Sequence, residues 1–297
     1  MKYSPALPAL CSLLLLITGC APQANVADSD FDLFAKDNLM AWCIVPFDAK
    51  ERSPEERAVM LNELGLPRLV WDWRDQHLPI LADEIRATRK HGIILEAIWL
   101  RIDEPDYSSG SFGPDVDFIL QTVGEMGLAT DYWVMFGGRY LNQKEGAERV
   151  AFAADAVGRL ADAAAKQGGR VGLYNHGGWF GKPDNQIQII QRAGRDNIGI
   201  VYNFHHAHEE IDAFPELLER MMPYLYAVNL NGMNRSGEPK ILAIGDGDAD
   251  LAMLQDLKES GYKGPIGILG HKEDVDARES LQANLDGLKK LAAQLKP

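Results

Sequence analysis

Five of the seven histidines in this chain, His176, His205, His206, His208 and His271, fall in three short windows of its C-terminal half. Imidazole exchanges protons near neutral pH and is also a common metal ligand, so such a group points to proton transfer or to a metal site. His77 and His91 stand apart and receive no role. Neutral hydrogen-bonding residues accompany the group: Asn175, Asn203, Asn229 and Asn231. Asparagine is disfavoured inside strands, and Asn229 and Asn231, two positions apart, share one strand face. An inward amide needs partners, which either a polyol substrate or a buried polar network supplies. Trp179, in His176-Gly177-Gly178-Trp179-Phe180, is either a wall for a sugar ring or a core residue. The charged candidates are Asp72, Glu96, Arg101, Asp103, Arg139 and Arg235. Glu96 interrupts the apolar run Ile93 to Trp99, where a carboxylate is costly unless paired. It reads equally as a general base or as the fixed partner of an arginine.

The elements that must position these groups alternate in period. Short apolar runs predict strands over 39–45, 68–73, 93–99, 131–137, 170–175, 198–204, 224–230 and 264–269. Amphipathic stretches predict helices over 54–64, 77–91, 115–126, 144–167, 184–194, 209–222, 249–260 and 276–295. Ser53-Pro54-Glu55-Glu56 reads as a helix start, and His91-Gly92 and Ser260-Gly261 as helix stops. Eight βα units in one domain over 38–297 predict an α/β fold, a (β/α)8 TIM barrel. An open doubly wound sheet would call for a glycine-rich phosphate loop after the first strand, and none is there. In a barrel the site lies at the C-terminal ends of the strands, just where the histidines fall.

With 297 residues, 46% of them hydrophobic and 25% charged, the chain has ordinary globular composition. Its formal charge of −13 repels phosphate backbones, which argues against nucleic acid as a partner. Residues 1–20 read as a secretion signal: Lys2, then the apolar run Leu7 to Ile17, then Ile17-Thr18-Gly19-Cys20, which resembles a bacterial lipobox with Cys20 as the lipidated residue. Ala21 in place of aspartate resembles the signal that sends such lipoproteins to the outer membrane. Residues 21–37 read as a tether, so the membrane is expected as a partner only through the lipid. Cys43, the one cysteine left in the mature domain, reads as a small buried hydrophobe.

Several local motifs together resemble the sugar phosphate isomerase/epimerase group with the xylose isomerase-like TIM barrel, over residues 39–295. Leu173-Tyr174-Asn175-His176-Gly177-Gly178 resembles that family's Leu-Glu-Asn-His-Gly-Gly at strand five, and Val201 to His206 its Asp-x-x-His at strand six. Arg235, six residues after Asn229, resembles a substrate-binding arginine. Gly245-Asp246-Gly247 resembles a family loop before helix seven, and Gly261 to Ile266 the approach to strand eight. The resemblance implies a small-molecule carbohydrate as ligand, and isomerisation, epimerisation or β-elimination of a sugar or keto-sugar, each beginning with loss of a proton next to a carbonyl. It implies His206 and His176 as acid and base, His271 and Arg235 as stabilisers of oxyanion charge, and Asn175, Asn203, Asn229, Asn231 and Trp179 as substrate-orienting groups, with Glu96 counted among them. The departures are as informative. Metal-binding family members use Glu, Asp, His and Glu from strands five to eight, where this chain carries Tyr174, Asn203, Asn229 and Leu269. Three readings follow: a divalent metal held instead by His176, His206 and His271, metal-free acid–base catalysis by the histidines, or a sugar-binding envelope lipoprotein without turnover. Metal-free catalysis would depend on a histidine with a pKa of about 6–7.

Overall fold

A computed structural model describes Met1, residues 31–103 and residues 110–295. The expected signal peptide, the lipidated Cys20 and most of the expected tether lie outside the described residues. The order along the chain is β1 (Leu39–Trp42), α1 (Pro54–Leu64), β2 (Arg68–Trp71), α2 (Leu81–His91), β3 (Ile94–Ile102), α3 (Pro114–Glu125), β4 (Asp131–Phe136), α4 (Gly138–Leu141), α5 (Gly146–Ala165), β5 (Val171–Tyr174), α6 (Pro183–Ala193), β6 (Ile198–Asn203), α7 (Phe214–Met221), β7 (Leu225–Leu230), α8 (Asp250–Glu259), β8 (Ile266–Leu269) and α9 (Ala277–Ala292). All neighbouring strands are parallel, and β1 pairs with both β2 and β8, closing the barrel. This is the (β/α)8 architecture that the alternating pattern predicts.

Local chemistry sets the boundaries. The Ser53 hydroxyl accepts from the Glu56 amide while the Glu56 carboxylate accepts from the Ser53 amide, a reciprocal cap on α1. Gly92 closes α2 at φ 69°, a left-handed conformation that costs glycine little. Two expected helices begin late. Residues Asp75–Ile80 form a 3-10 turn around Pro79 before α2, and His208–Ala213 form another before α7, whose first turn carries Pro215. Proline fits a helix start but not its interior. β1 stops at Trp42 because Cys43 takes φ 57°, which turns the chain out of the sheet. β3 runs three residues past the apolar stretch and carries Arg101 within the strand. The expected tether also ends early. Leu33 is buried, and the Asn38 amide donates to the carbonyls of Leu33 and Gly264, tying the chain to the barrel from Asp32 onward.

The strands are buried on both faces, which explains their unbroken apolar runs. A large core lies between sheet and helices. A second lies inside the barrel, where Met40, Trp42, Val70, Ala97, Trp133, Tyr174, Val201, Ala227 and Leu269 meet. Gly172 admits the inner aromatic rings, since a side chain there would run into Val201 and the Trp133 indole. Trp42, Trp133 and Tyr174 form an aromatic cluster in this inner core, with ring centroids 5.2 to 6.4 Å apart. Among the described residues, no helix is long and apolar enough to cross a membrane.

Candidate active site

The aromatic cluster also forms part of a small cavity at the C-terminal ends of the strands. β1 supplies Trp42, with Cys43 and Phe47 just after it; Asp72 and Arg74 follow β2, and Trp99 lies in β3. The other wall consists of Tyr174 and His176 from β5, His205 and His206 after β6, and His271 after β8. The volume is about 110 Å³. That is well below the roughly 300–1,000 Å³ of clefts that enclose drug-sized ligands, so it suits no more than one small polar molecule.

Four of the five grouped imidazoles converge on the cavity, and His208 does not line it. Ring centroids are 4.4 Å apart for His176 and His206, 4.6 Å for His205 and His206, and 5.3 Å for His205 and His271. His271 stacks on Phe47 at 3.7 Å, and Arg74 lies over the same Phe47 ring. Burial, followed by the charge of the neighbouring histidines, pushes His206 down to about 2 and His205 to about 3. His271 is pushed down to about 4 by burial, Arg74 and His176, and His176 is lowered mainly by burial. These rings are therefore neutral at pH 7. That corrects the expectation of a histidine titrating at 6–7: crowding imidazoles in a half-buried pocket disfavours every added charge. The group near that range is Asp72, which burial raises to about 6.

Other expected site residues take different places. Both polar atoms of the Asn175 side chain bond to the Asn203 backbone, stapling β5 to β6. Asn203 in turn donates to the Tyr174 hydroxyl and accepts from the His205 amide, which holds the histidine loop. Asn229 is fully buried against Gly267, and neither amide atom has a hydrogen-bond partner. Asn231 donates to the carbonyl of Gly232. Glu96 lies toward the opposite end of the barrel, paired at 2.7 Å with Arg68 at the start of β2, so the arginine-partner alternative is the arrangement found. Trp179 packs against the outer core beneath the Arg149 guanidinium and does not line the cavity. Arg235 is half exposed, pairs with Asp212 and donates its amide to Asp248. The Gly-Asp-Gly loop has a structural role: Asp250 accepts from the amides of Met233, Gly245 and Gly247.

Sequence reasoning gave Phe47 and Arg74 no role. They line the cavity with Trp42, Trp99 and Asp72, and their signal was available: both stand just past the end of a predicted strand, Phe47 after 39–45 and Arg74 after 68–73. Asp72 was noted as a charged candidate, but only the tertiary structure shows its burial beside the histidines.

The positions that the sequence resemblance matches to metal ligands do not fit a metal ion here. Tyr174 fills the space with its ring and its hydroxyl bonds to Asn203, Leu269 belongs to the inner apolar core, and Asn203 and Asn229 bring no negative charge. A divalent cation seeks anionic oxygens or free imidazoles in tetrahedral or octahedral sets. Among the described residues no group of three or more histidine, cysteine, aspartate or glutamate side chains is arranged to hold a metal ion, and this includes the His176, His206 and His271 alternative.

Solved structures share the fold across nearly the whole barrel. A 3-keto-D-glucoside 4-epimerase from E. coli superposes with a TM-score of 0.63 at 17% identity, covering 86% of this chain and 99% of that one. An L-ribulose 3-epimerase gives 0.63 at 14% identity, covering 86% and 96%. The IOLI protein with a bound zinc atom gives 0.62 at 16%, covering 87% and 99%. No curated protein sequence matches the chain. The family described as the xylose isomerase-like TIM barrel matches residues 115–291, more than half of the chain, and the chain belongs to that family.

Proposed function

We propose that this protein is an enzyme that acts on a sugar or keto-sugar by moving a proton next to a carbonyl, in an isomerisation, epimerisation or β-elimination. One observation carries the reading: four histidines from three strand ends converge, neutral, on one small cavity with aromatic walls. Neutral imidazoles donate to a carbonyl oxygen and accept from a neighbouring hydroxyl, which is what transfer between adjacent sugar oxygens needs. His206 and His176 are the nearest pair for that work, and the Arg74 guanidinium at the rim offers positive charge to an enediolate. Structural neighbours named as sugar epimerases support the substrate class.

The test is deuterium exchange into D-fructose, L-ribulose and 3-keto-D-glucose in D2O, followed by NMR. The wild type should exchange at least one of them, with EDTA making no difference, and His206→Gln should be slower by roughly 10²–10⁴. Glutamine keeps the hydrogen bonding but cannot relay a proton, so a near-normal rate in His206→Gln would rule out the role given to this ring. Binding of these sugars without exchange would favour the second reading, a sugar-binding protein. Tyr174, Asn203, Asn229 and Leu269 at the family's metal positions support that alternative.

We place the mature protein in the cell envelope as an outer-membrane lipoprotein anchored through Cys20, on the strength of the lipobox-like Ile17 to Cys20. Cys20→Ser should move it from the membrane to the soluble fraction of cells, and retention with the membranes would refute the anchor.

A further inference from the structure

Among the described residues, one carboxyl group lines the cavity, and the family resemblance assigns it no role. Asp72 stands one residue beyond β2 and is 2% exposed. Its Oδ1 accepts from the Val45 amide at 3.3 Å, while Oδ2 is buried with no hydrogen-bond partner, although the residue lines the cavity. Arg74 and Arg57 act on it through space, and the buried Cys43 thiol lies beside it, itself raised by burial and by the carboxylate. An oxygen kept dry and unpaired is costly, and such costs concentrate where a group has work to do. In a closed barrel of eight strands β2 lies diametrically opposite β6, so Asp72 faces the His206 wall across the cavity.

We propose that Asp72 is the base that takes the proton from the substrate carbon, while His206 and His176 opposite it hydrogen-bond the carbonyl oxygen and relay the proton exchanged there. This rests on the function proposed above and assigns its carbon-side step. The C–H bond breaks toward Oδ2, its electron pair moves into the carbonyl, and the enediolate oxygen is held by the neutral imidazoles. Asp72, now protonated, returns the proton to carbon, so protons and electrons balance without another reactant. A carboxylate of raised basicity working with a neutral imidazole is a sound division of labour. A depressed histidine polarises oxygen: His206, pushed down to about 2, is far less basic than Asp72, which burial raises to about 6 and so fits to act on carbon. The groups facing Asp72 are Cys43, Arg74 and Arg57 on the near side, and Tyr174, His176, His205, His206 and His271 across the cavity.

The experiment compares wild type, Asp72→Asn and Asp72→Glu in exchange with D-fructose, L-ribulose and 3-keto-D-glucose from pH 5 to 8. Asparagine preserves the acceptor for Val45. Asp72→Asn should lower kcat by roughly 10²–10⁴ with little change in KM. The wild-type rate should fall below an apparent pKa near 6, a limb missing from the residual rate of Asp72→Asn, and Asp72→Glu should recover part of kcat. A wild type that exchanges while Asp72→Asn keeps more than a tenth of its kcat would overturn the role of Asp72 and leave the proposed function standing. A wild type that exchanges none of these sugars would overturn both.

Discussion

The two walls of the cavity are built on opposite terms. The β1–β3 wall is aromatic and tightly packed, with Trp42 and Trp99, and among the described residues the carboxyl it buries beside the cavity is Asp72. The β5–β8 wall is polar, with His176, His205, His206 and His271, and Asn175 and Asn203 hold the ends of β5 and β6 in place. Burial acts on both walls but with opposite sign: it raises Asp72 and lowers the histidines, because each is pushed toward its uncharged form. The difference teaches that the histidine cluster, the louder signal in the sequence, is electrically quiet at neutral pH, while the quiet wall carries the group that titrates there.

The largest expected effect separates packing from chemistry. Trp42→Ala removes an indole from the centre of the inner core and should cost about 3–5 kcal/mol in urea unfolding. His176→Ala, at a residue on the open side of the cavity and outside the packed core, should stay within about 0.5 kcal/mol. Equal losses would erase the contrast between the walls.

Next comes a pair of opposite pH dependences. Asp72 has a raised folded pKa, so its ionisation costs stability as pH climbs from about 4 to above 6. Asp72→Asn should therefore be on the order of 2–3 kcal/mol more stable than wild type at pH 8, and no more stable at pH 4. His206 has a depressed folded pKa, so its neutral form stabilises the protein above pH 6.5, and that contribution fades as pH falls. At pH 5 the ring should cost about 2 kcal/mol, and His206→Gln should flatten the acid limb of stability by that amount. Melting curves of both variants across pH 4–8 measure this. Parallel shifts in the two variants would show that burial does not act on the walls with opposite sign.

The smallest effect is expected at Arg235. Its pair with Asp212 is exposed on both sides, and such pairs contribute about 0–1 kcal/mol. Arg235→Ala should leave the melting temperature nearly unchanged and alter KM less than Arg74→Ala does. A larger KM effect at Arg235 would mean that this arginine swings from Asp212 into the mouth when substrate binds.

The fold was legible because a parallel barrel writes itself locally. Strands buried on both faces read as unbroken apolar runs, and Ser53, Pro54 and Gly92 mark helix ends by their own conformational preferences. The convergence of the histidines was legible too, since the ends of alternating strands must meet at one mouth. The directions of their side chains were not. Asn175 turns to the β6 backbone, Trp179 to the outer core and Glu96 to Arg68, and these are choices among neighbours distant in sequence. The electrostatics were hidden for the same reason. A pKa depends on which atoms exclude water from a group and which charges face it, and for Asp72 those are Val45, Cys43 and Arg74, brought together only when the barrel closes. The sequence by itself determined the elements, their order and the end of the barrel that carries the chemistry. Which side chains meet there, and which of them remain uncharged, was decided by the tertiary packing, because burial and proximity are properties of the folded neighbourhood and not of the residue.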